Sequence, residues 1–183
     1  MKKYILLIFA VSFILMFQNC SSQNTADSQM VNQLLNAEEF TFHAQRANPT
    51  NYDVINVMNS IPNSPSTRIL QLDGDGYSIE LRKNNLEVVL PYFGRVFNPS
   101  YGDSSKSGYR FTSKDYTVTK SQNKKGNWIF LIKPNDVSNV SDINIEVYKN
   151  GKAFTSIRSN DRQPITYDGY ISKNEDIKVK EKL

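Results

Sequence analysis

With 183 residues, 39% apolar and 22% charged, the chain has the size of one domain and enough apolar side chains for one core. Its formal charge of +4 and isoelectric point near 9.0 come with no basic stripe, and Lys2 and Lys3 account for two of those charges, so no nucleic-acid partner is expected. A single cysteine excludes an intramolecular disulfide, and a single histidine, His43, excludes a multi-histidine metal site, so neither metal nor cofactor is expected.

The N-terminus reads as an address. Met1-Lys2-Lys3 precedes an apolar run from Tyr4 to Phe17, broken only by Ser12, and Gln18-Asn19-Cys20 follows. As a helix that run spans about 21 Å, short of the ~30 Å hydrocarbon core, and with two leading lysines it fits a secretory signal better than a permanent span. Residues 1–19 are therefore expected to be a lipoprotein-type signal peptide. The polar stretch after Cys20 begins a tether and short helix over 20–37; a single β domain is expected over 38–172 and a charged tail over 173–183. The region around Cys20 resembles the lipobox of bacterial lipoproteins, although Asn19 stands where a small residue is usual and Phe17 where an aliphatic one is. The resemblance implies a diacylglycerol on the Cys20 sulfur and a further fatty acyl chain, such as palmitate, on the new amino terminus. Such multiple chains anchor firmly where one chain binds only marginally. Ser21, not aspartate, follows Cys20, which by analogy with lipoprotein sorting points to the outer membrane, with the domain on its periplasmic or surface face.

From Asp27 to Glu39, Met30, Val31, Leu34 and Leu35 share a helical face. Period two then takes over, with Phe40, Phe42 and Ala44 inward and Thr41, His43 and Gln45 outward until Pro49. Residues 48–66 carry three prolines and predict a loop with a short strand at Tyr52–Met58. Leu70 and Leu72, then Tyr77, Ile79 and Leu81, predict a hairpin around Asp73-Gly74-Asp75-Gly76. Leu86, Val88 and Leu90 form the next strand, ended by Pro91; Asn98–Gly108 reads as a surface loop, and Tyr109–Thr112 and Tyr116–Lys120 as strands. Asn123–Gly126 turns the chain into Trp128, Phe130 and Ile132, a strand with Ile129 and Leu131 on its other face. Ile143, Ile145 and Val147 lead to a two-residue Asn150-Gly151 turn and a return over Ala153–Arg158; Ile165, Tyr167 and Ile171 close the domain. The tail from Lys173 is expected to be frayed. This pattern predicts an all-β fold: an antiparallel β-barrel or, alternatively, a β-sandwich.

No catalytic constellation is visible. His43 lies on the polar side of a strand, no Gly-x-Ser-x-Gly elbow exists, and Asp73–Gly76 has Asn84, not glutamate, at the twelfth place of a calcium loop. The chain is expected not to be an enzyme. Tyr92, Phe93 and Arg95, in the run Leu90–Arg95, form either a packed strand end, with Arg95 stacked on an aromatic ring, or the rim of a pocket.

Four stretches, Leu90–Arg95, Gly108–Phe111, Gly151–Ala153 and Arg162–Gly169, resemble in order the domain of unknown function 4251 family. The resemblance spans about Glu38 to Ser172 and implies a lipocalin-type, calycin-like barrel, with no activity and no catalytic residues to carry over. The expected function is a lipid-anchored, non-enzymatic envelope protein that binds a small apolar ligand or an envelope partner. Alternatives are a structural or inhibitory interaction module, with an aromatic patch near Tyr92, Phe93 and Tyr101, and a glycan hydrolase, which needs two carboxylates about 5–10 Å apart in a cleft.

Overall fold

The computed structural model describes residues 23–62, 66–97 and 108–175; the signal segment, Cys20, Tyr101 and most of the charged tail lie outside them. Helix α1 (Gln23–Ala37) leads into β1 (Phe40–Pro49), and two short helices, α2 (Tyr52–Ser60) and α3 (Ser66–Ile69), follow. The strands β2 (Ser78–Arg82), β3 (Asn85–Pro91), β4 (Gly108–Ser113), β5 (Tyr116–Gln122), β6 (Trp128–Pro134), β7 (Val140–Val147), β8 (Lys152–Ser159) and β9 (Ile165–Ser172) complete the chain. All nine strands belong to one antiparallel sheet, ordered β4-β3-β2-β1-β9-β8-β7-β6-β5, which curls into a nearly closed barrel. The expected barrel is therefore observed.

Parity shows how the barrel closes. Every neighbouring pair in this row is antiparallel, so its first and ninth members, β4 and β5, run in the same direction. Only Lys114 and Asp115 separate them. They are two halves of one bent strand: the first pairs with β3 from Leu86↔Ser113 to Pro91↔Gly108, the second with β6 from Tyr116↔Pro134 to Gln122↔Trp128. The barrel thus has eight effective staves, the number at which side chains just fill the interior.

The bend is held by one carboxylate. Asp136 accepts hydrogen bonds from the Ser113 hydroxyl and from the backbone N–H groups of Lys114 (2.9 Å) and Asp115 (3.3 Å). These bonds, the Ser113 hydroxyl first among them, hold the Asp136 carboxyl below its usual range.

Alternation along each strand sends one row inward. Phe40, Phe42, Ile79, Leu86, Val88, Phe130, Ile132, Ile143, Ile145, Ile157 and Ile165 are fully buried. Phe40 meets Phe130 edge to face, centroids 5.1 Å apart, tying β1 to β6 through the core. One core polar group, Thr155 Oγ1, is the buried side-chain atom without a hydrogen-bond partner among the described residues.

The two ends differ. The β2–β3, β5–β6 and β7–β8 turns gather at the end where α1 enters, here called the tether end. Val31 and Leu35 of α1 are buried, Val31 against Gly151, while Lys120 Nζ donates to Leu35 O at 2.7 Å. Met30, expected on the packed face, is exposed. The connections after β1, β3, β6 and β8 form the opposite end, the rim.

Three sequence expectations are corrected. Tyr52–Met58 is helix, not strand: Asn51 Oδ1 accepts from Asp53 N at 2.8 Å and caps α2, so a local cap overrides the β propensity of Tyr52, Val54 and Ile55. Leu70 and Leu72 are buried but form no hairpin arm; β2 pairs instead with β1 and β3, and only Gln71 bridges Arg46. The β7–β8 turn has three residues: Gly151 N donates to Tyr148 O, Tyr148 N to Lys152 O, and Gly151 takes the left-handed φ of +79° as a bulge. On the outer face of β6, Ile129 and Leu131 are half-buried.

Two substitutions probe this packing by urea unfolding. Thr155→Val removes the unpaired hydroxyl and is expected to raise the unfolding free energy by about 1 kcal/mol. Gly169→Ala places a Cβ into the His43 carbonyl and against Phe42, and is expected to lower it by about 3 kcal/mol.

Candidate functional site at the barrel rim

The rim is organised around Arg162, in the β8–β9 connection and only 4% exposed. Its Nε and Nη2 donate to the two carboxylate oxygens of Asp161, at 3.1 and 2.9 Å, and its Nη1 donates to Gly108 O at 3.1 Å. The guanidinium carbon sits 5.0 Å from the ring centres of both Tyr92 and Tyr109, which meet edge to face at 5.8 Å. Its polar edge is hydrogen-bonded and two aromatic rings pack beside it, which answers the desolvation of a buried cation.

The hydroxyls of the aromatic cluster tie three connections together. Tyr109 Oη lies 2.9 Å from Ser159 Oγ, and Tyr167 Oη donates to Pro91 O at 2.6 Å. Tyr92 Oη reaches the carbonyls of Arg95 and Gln163, at 2.9 and 3.1 Å. Backbone bonds from Gln163 N to Arg95 O and from Phe97 N to Asp161 O run alongside. On the other flank, Thr50 Oγ1 donates to Pro164 O at 2.8 Å and Asn51 Nδ2 to Gln163 Oε1 at 3.1 Å, which fixes the start of α2 to the same connection. Gly108 is required here because a Cβ would overlap Leu90 O.

Burial pushes the Tyr109 hydroxyl up to about 12, against the opposing pull of Ser159 and Arg162, and pushes Tyr167 well above its ordinary value. Burial also presses the Asp161 carboxyl upward, but the hydrogen bonds and charge of Arg162 outweigh it and hold the group low.

Of the predicted site residues, Tyr92 joins the cluster and Phe93 is half-buried against the core. Arg95 contributes its carbonyl, while its side chain is exposed. The arginine that stacks on aromatic rings is Arg162, not Arg95, because the β8–β9 connection closes over Tyr92 while Arg95 faces outward. The adjacent Asp161-Arg162 pair between two strands was the signal for it. Cys20 lies outside the described residues.

Elsewhere the polar groups are engaged. His43 is half-buried, stacked on Tyr170 at 5.0 Å and hydrogen-bonded to Ser172 at 2.8 Å; burial lowers its pKa, against the pull of Glu175. Asp142 is held by Arg158, and Glu146 accepts from Asn123 and Asn127. Among the described residues no cluster of histidine, cysteine and carboxylates could hold a metal. No helix there is long and apolar enough to cross a membrane. Two grooves, of about 190 and 160 Å³, flank α1 outside the barrel; a small-molecule pocket usually runs to about 300 Å³ or more.

Fold and rim together define a helix-capped, side-chain-filled, up-and-down β-barrel. The chain belongs to the DUF4251 family, a domain of unknown function, whose family model matches residues 22–171. It is similar to the crystal structure of a DUF4251 family protein from Bacteroides eggerthii, at 15% identity and a TM-score of 0.49, over 82% of this chain and 92% of that one. No curated protein matches the chain.

Two outcomes are expected. Arg162→Ala strands the Asp161 carboxylate among tyrosines and should lower the unfolding free energy by about 3 kcal/mol in chemical denaturation. The raised Tyr109 pKa means that the folded state keeps a proton the unfolded chain loses near pH 10.0, so stability is full below that pH and falls as pH rises toward about 12. Alkaline unfolding followed by phenolate absorbance tests this, and Tyr109→Phe should flatten the slope in that window.

Proposed function

We propose that this protein is a lipid-anchored, non-catalytic binding module of the cell envelope, held by acylated Cys20, that docks an envelope protein through its rim. The observation that carries the reading is α2. This nine-residue helix has no buried residue, and Tyr52 is 81% and Val57 63% exposed, with Ile61 45% exposed just beyond its end. Of its side chains Met58 packs against the core, so a helix this short is only lightly supported, and a bound partner would add packing. Phe97, 54% exposed, extends the apolar surface beside the β8–β9 connection. Among the described residues, the buried inward side chains and the two small grooves favour surface docking over carriage of a small apolar ligand inside the barrel.

Two experiments test the two parts. Metabolic labelling with a fatty-acid analogue is expected to mark the wild-type protein and not Cys20→Ala; label that survives the substitution refutes the anchor. A photo-crosslinker placed at Val57 in intact cells is expected to give a reproducible protein adduct that Tyr52→Glu reduces. Adducts no different from those made from Thr119, exposed in the middle of β5 on the barrel wall, would sink the docking role.

A further inference from the structure

The barrel is electrically polar along its length. The tips at the tether end carry Lys83 on β2–β3, Lys124 and Lys125 on β5–β6 and Lys149 on β7–β8, all exposed, with no carboxylate in any of the three turns. The rim connections instead carry five carboxylates, Asp53, Asp73, Asp75, Asp136 and Asp161, against three arginines, Arg68, Arg95 and the buried Arg162, among the described residues. The tips are close neighbours: a Cβ at Gly126 would lie 3.7 Å from Lys149 Nζ. Exposed Met30, Tyr148 and Tyr170 stand among them around α1. The nearby acidic groups are Glu38, Glu39, Glu80, Glu87, Glu146 and Glu175; Glu146 is taken up by Asn123 and Asn127, Glu39 by Lys83 N and Glu80 by Arg82.

We infer that the tether end rests on an anionic lipid surface, with the lysine tips at the phosphate headgroups and the rim presented outward. This inference rests on the anchor reading of Cys20. From Cys20 to Gln23 the chain spans at most about 11 Å, and from Gln23 to Val31 the helix rises about 12 Å, so Val31, which packs against the β7–β8 turn, stays within roughly 23 Å of the acyl chains. The anchor brings the tips within reach, and lysines beside amphipathic tyrosines suit a charged interface, where each contributes roughly a fivefold preference.

The mature acylated protein, reconstituted into vesicles of phosphatidylcholine with or without phosphatidylglycerol, tests the inference by amine labelling and peptide mass spectrometry. On the mixed vesicles Lys124, Lys125 and Lys149 should label roughly fivefold less. High salt should abolish the protection, and Lys133, near the rim end of β6, should not change. K124E/K125E should restore labelling of Lys149. Equal labelling on both vesicle types, with the protein still bound, overturns the inference and leaves the anchor standing. Protection already present in detergent micelles, rising with protein concentration, overturns it in favour of a second copy at this face. Protein that stays in solution with no acyl mass on Cys20 overturns the anchor reading, and this inference with it.

Discussion

The barrel stands on the pairing of its first and last strands. β1 and β9 match from Thr41↔Ser172 to Pro49↔Ile165, with one shift between Ala44 and Arg46. Apart from this ladder, each strand pairs with a neighbour in sequence, and the longest of those separations is β1 with β2, as in Phe40↔Leu81. The β1–β9 ladder joins residues more than a hundred positions apart and bears the loop-closure entropy of the whole domain. Gly169 makes it possible, because at the shifted register the two backbones approach too closely for any side chain there. Once β1 is placed, Phe40 and Phe42 enter the interior and Phe40 reaches Phe130 on β6. The bent β4–β5 strand completes the circuit without a second long-range ladder, because the chain itself carries the sheet from one edge to the other.

The ends of the barrel are closed by opposite means. At the tether end an apolar face, Val31 and Leu35, covers the core, held by burial and by the Lys120 bond to Leu35 O. At the rim the cover is an ion pair between tyrosines. A buried ion pair seldom stabilises more than apolar groups of the same volume. What the two-point Asp161–Arg162 contact adds is direction. It sets the β8–β9 connection against Tyr92 on one side, and through Gln163 and Pro164 it fixes Asn51 and α2 on the other. Among the described residues, the Arg162 cluster therefore ties together three of the four rim connections.

Much of this fold was legible because alternation survives wherever a strand has one wet face. β1, β3, β7, β8 and β9 fell where their apolar residues predicted them. Alternation failed between β1 and β2. Tyr52, Val54 and Ile55 favour strands by propensity, but the region has no neighbouring strand to pair with, and the Asn51 cap then decides for helix. Leu70 and Leu72 are inward residues of an irregular segment, which periodicity cannot distinguish from a strand. At the site, Tyr92 was found because two aromatics beside a glycine at a strand end are conspicuous. Arg162 carries no such local mark, since burial of a guanidinium depends on rings from β4 and from the segment after β3, contacts that exist only in three dimensions.

Interior and surface constrain each other in so small a barrel. Eight staves leave room for side chains or for one small ligand, not for both. Here the described inward positions hold phenylalanine, isoleucine and tyrosine at full burial, so the interior space is given to side chains. Of the outer surfaces, the walls are regular ladder and the tether end is covered by α1. The rim alone combines a rigid base, the Arg162 cluster, with an element of low local stability, the unburied helix α2. That pairing suits binding: the base holds position, and the helix is the part a partner can reorder without disturbing the core.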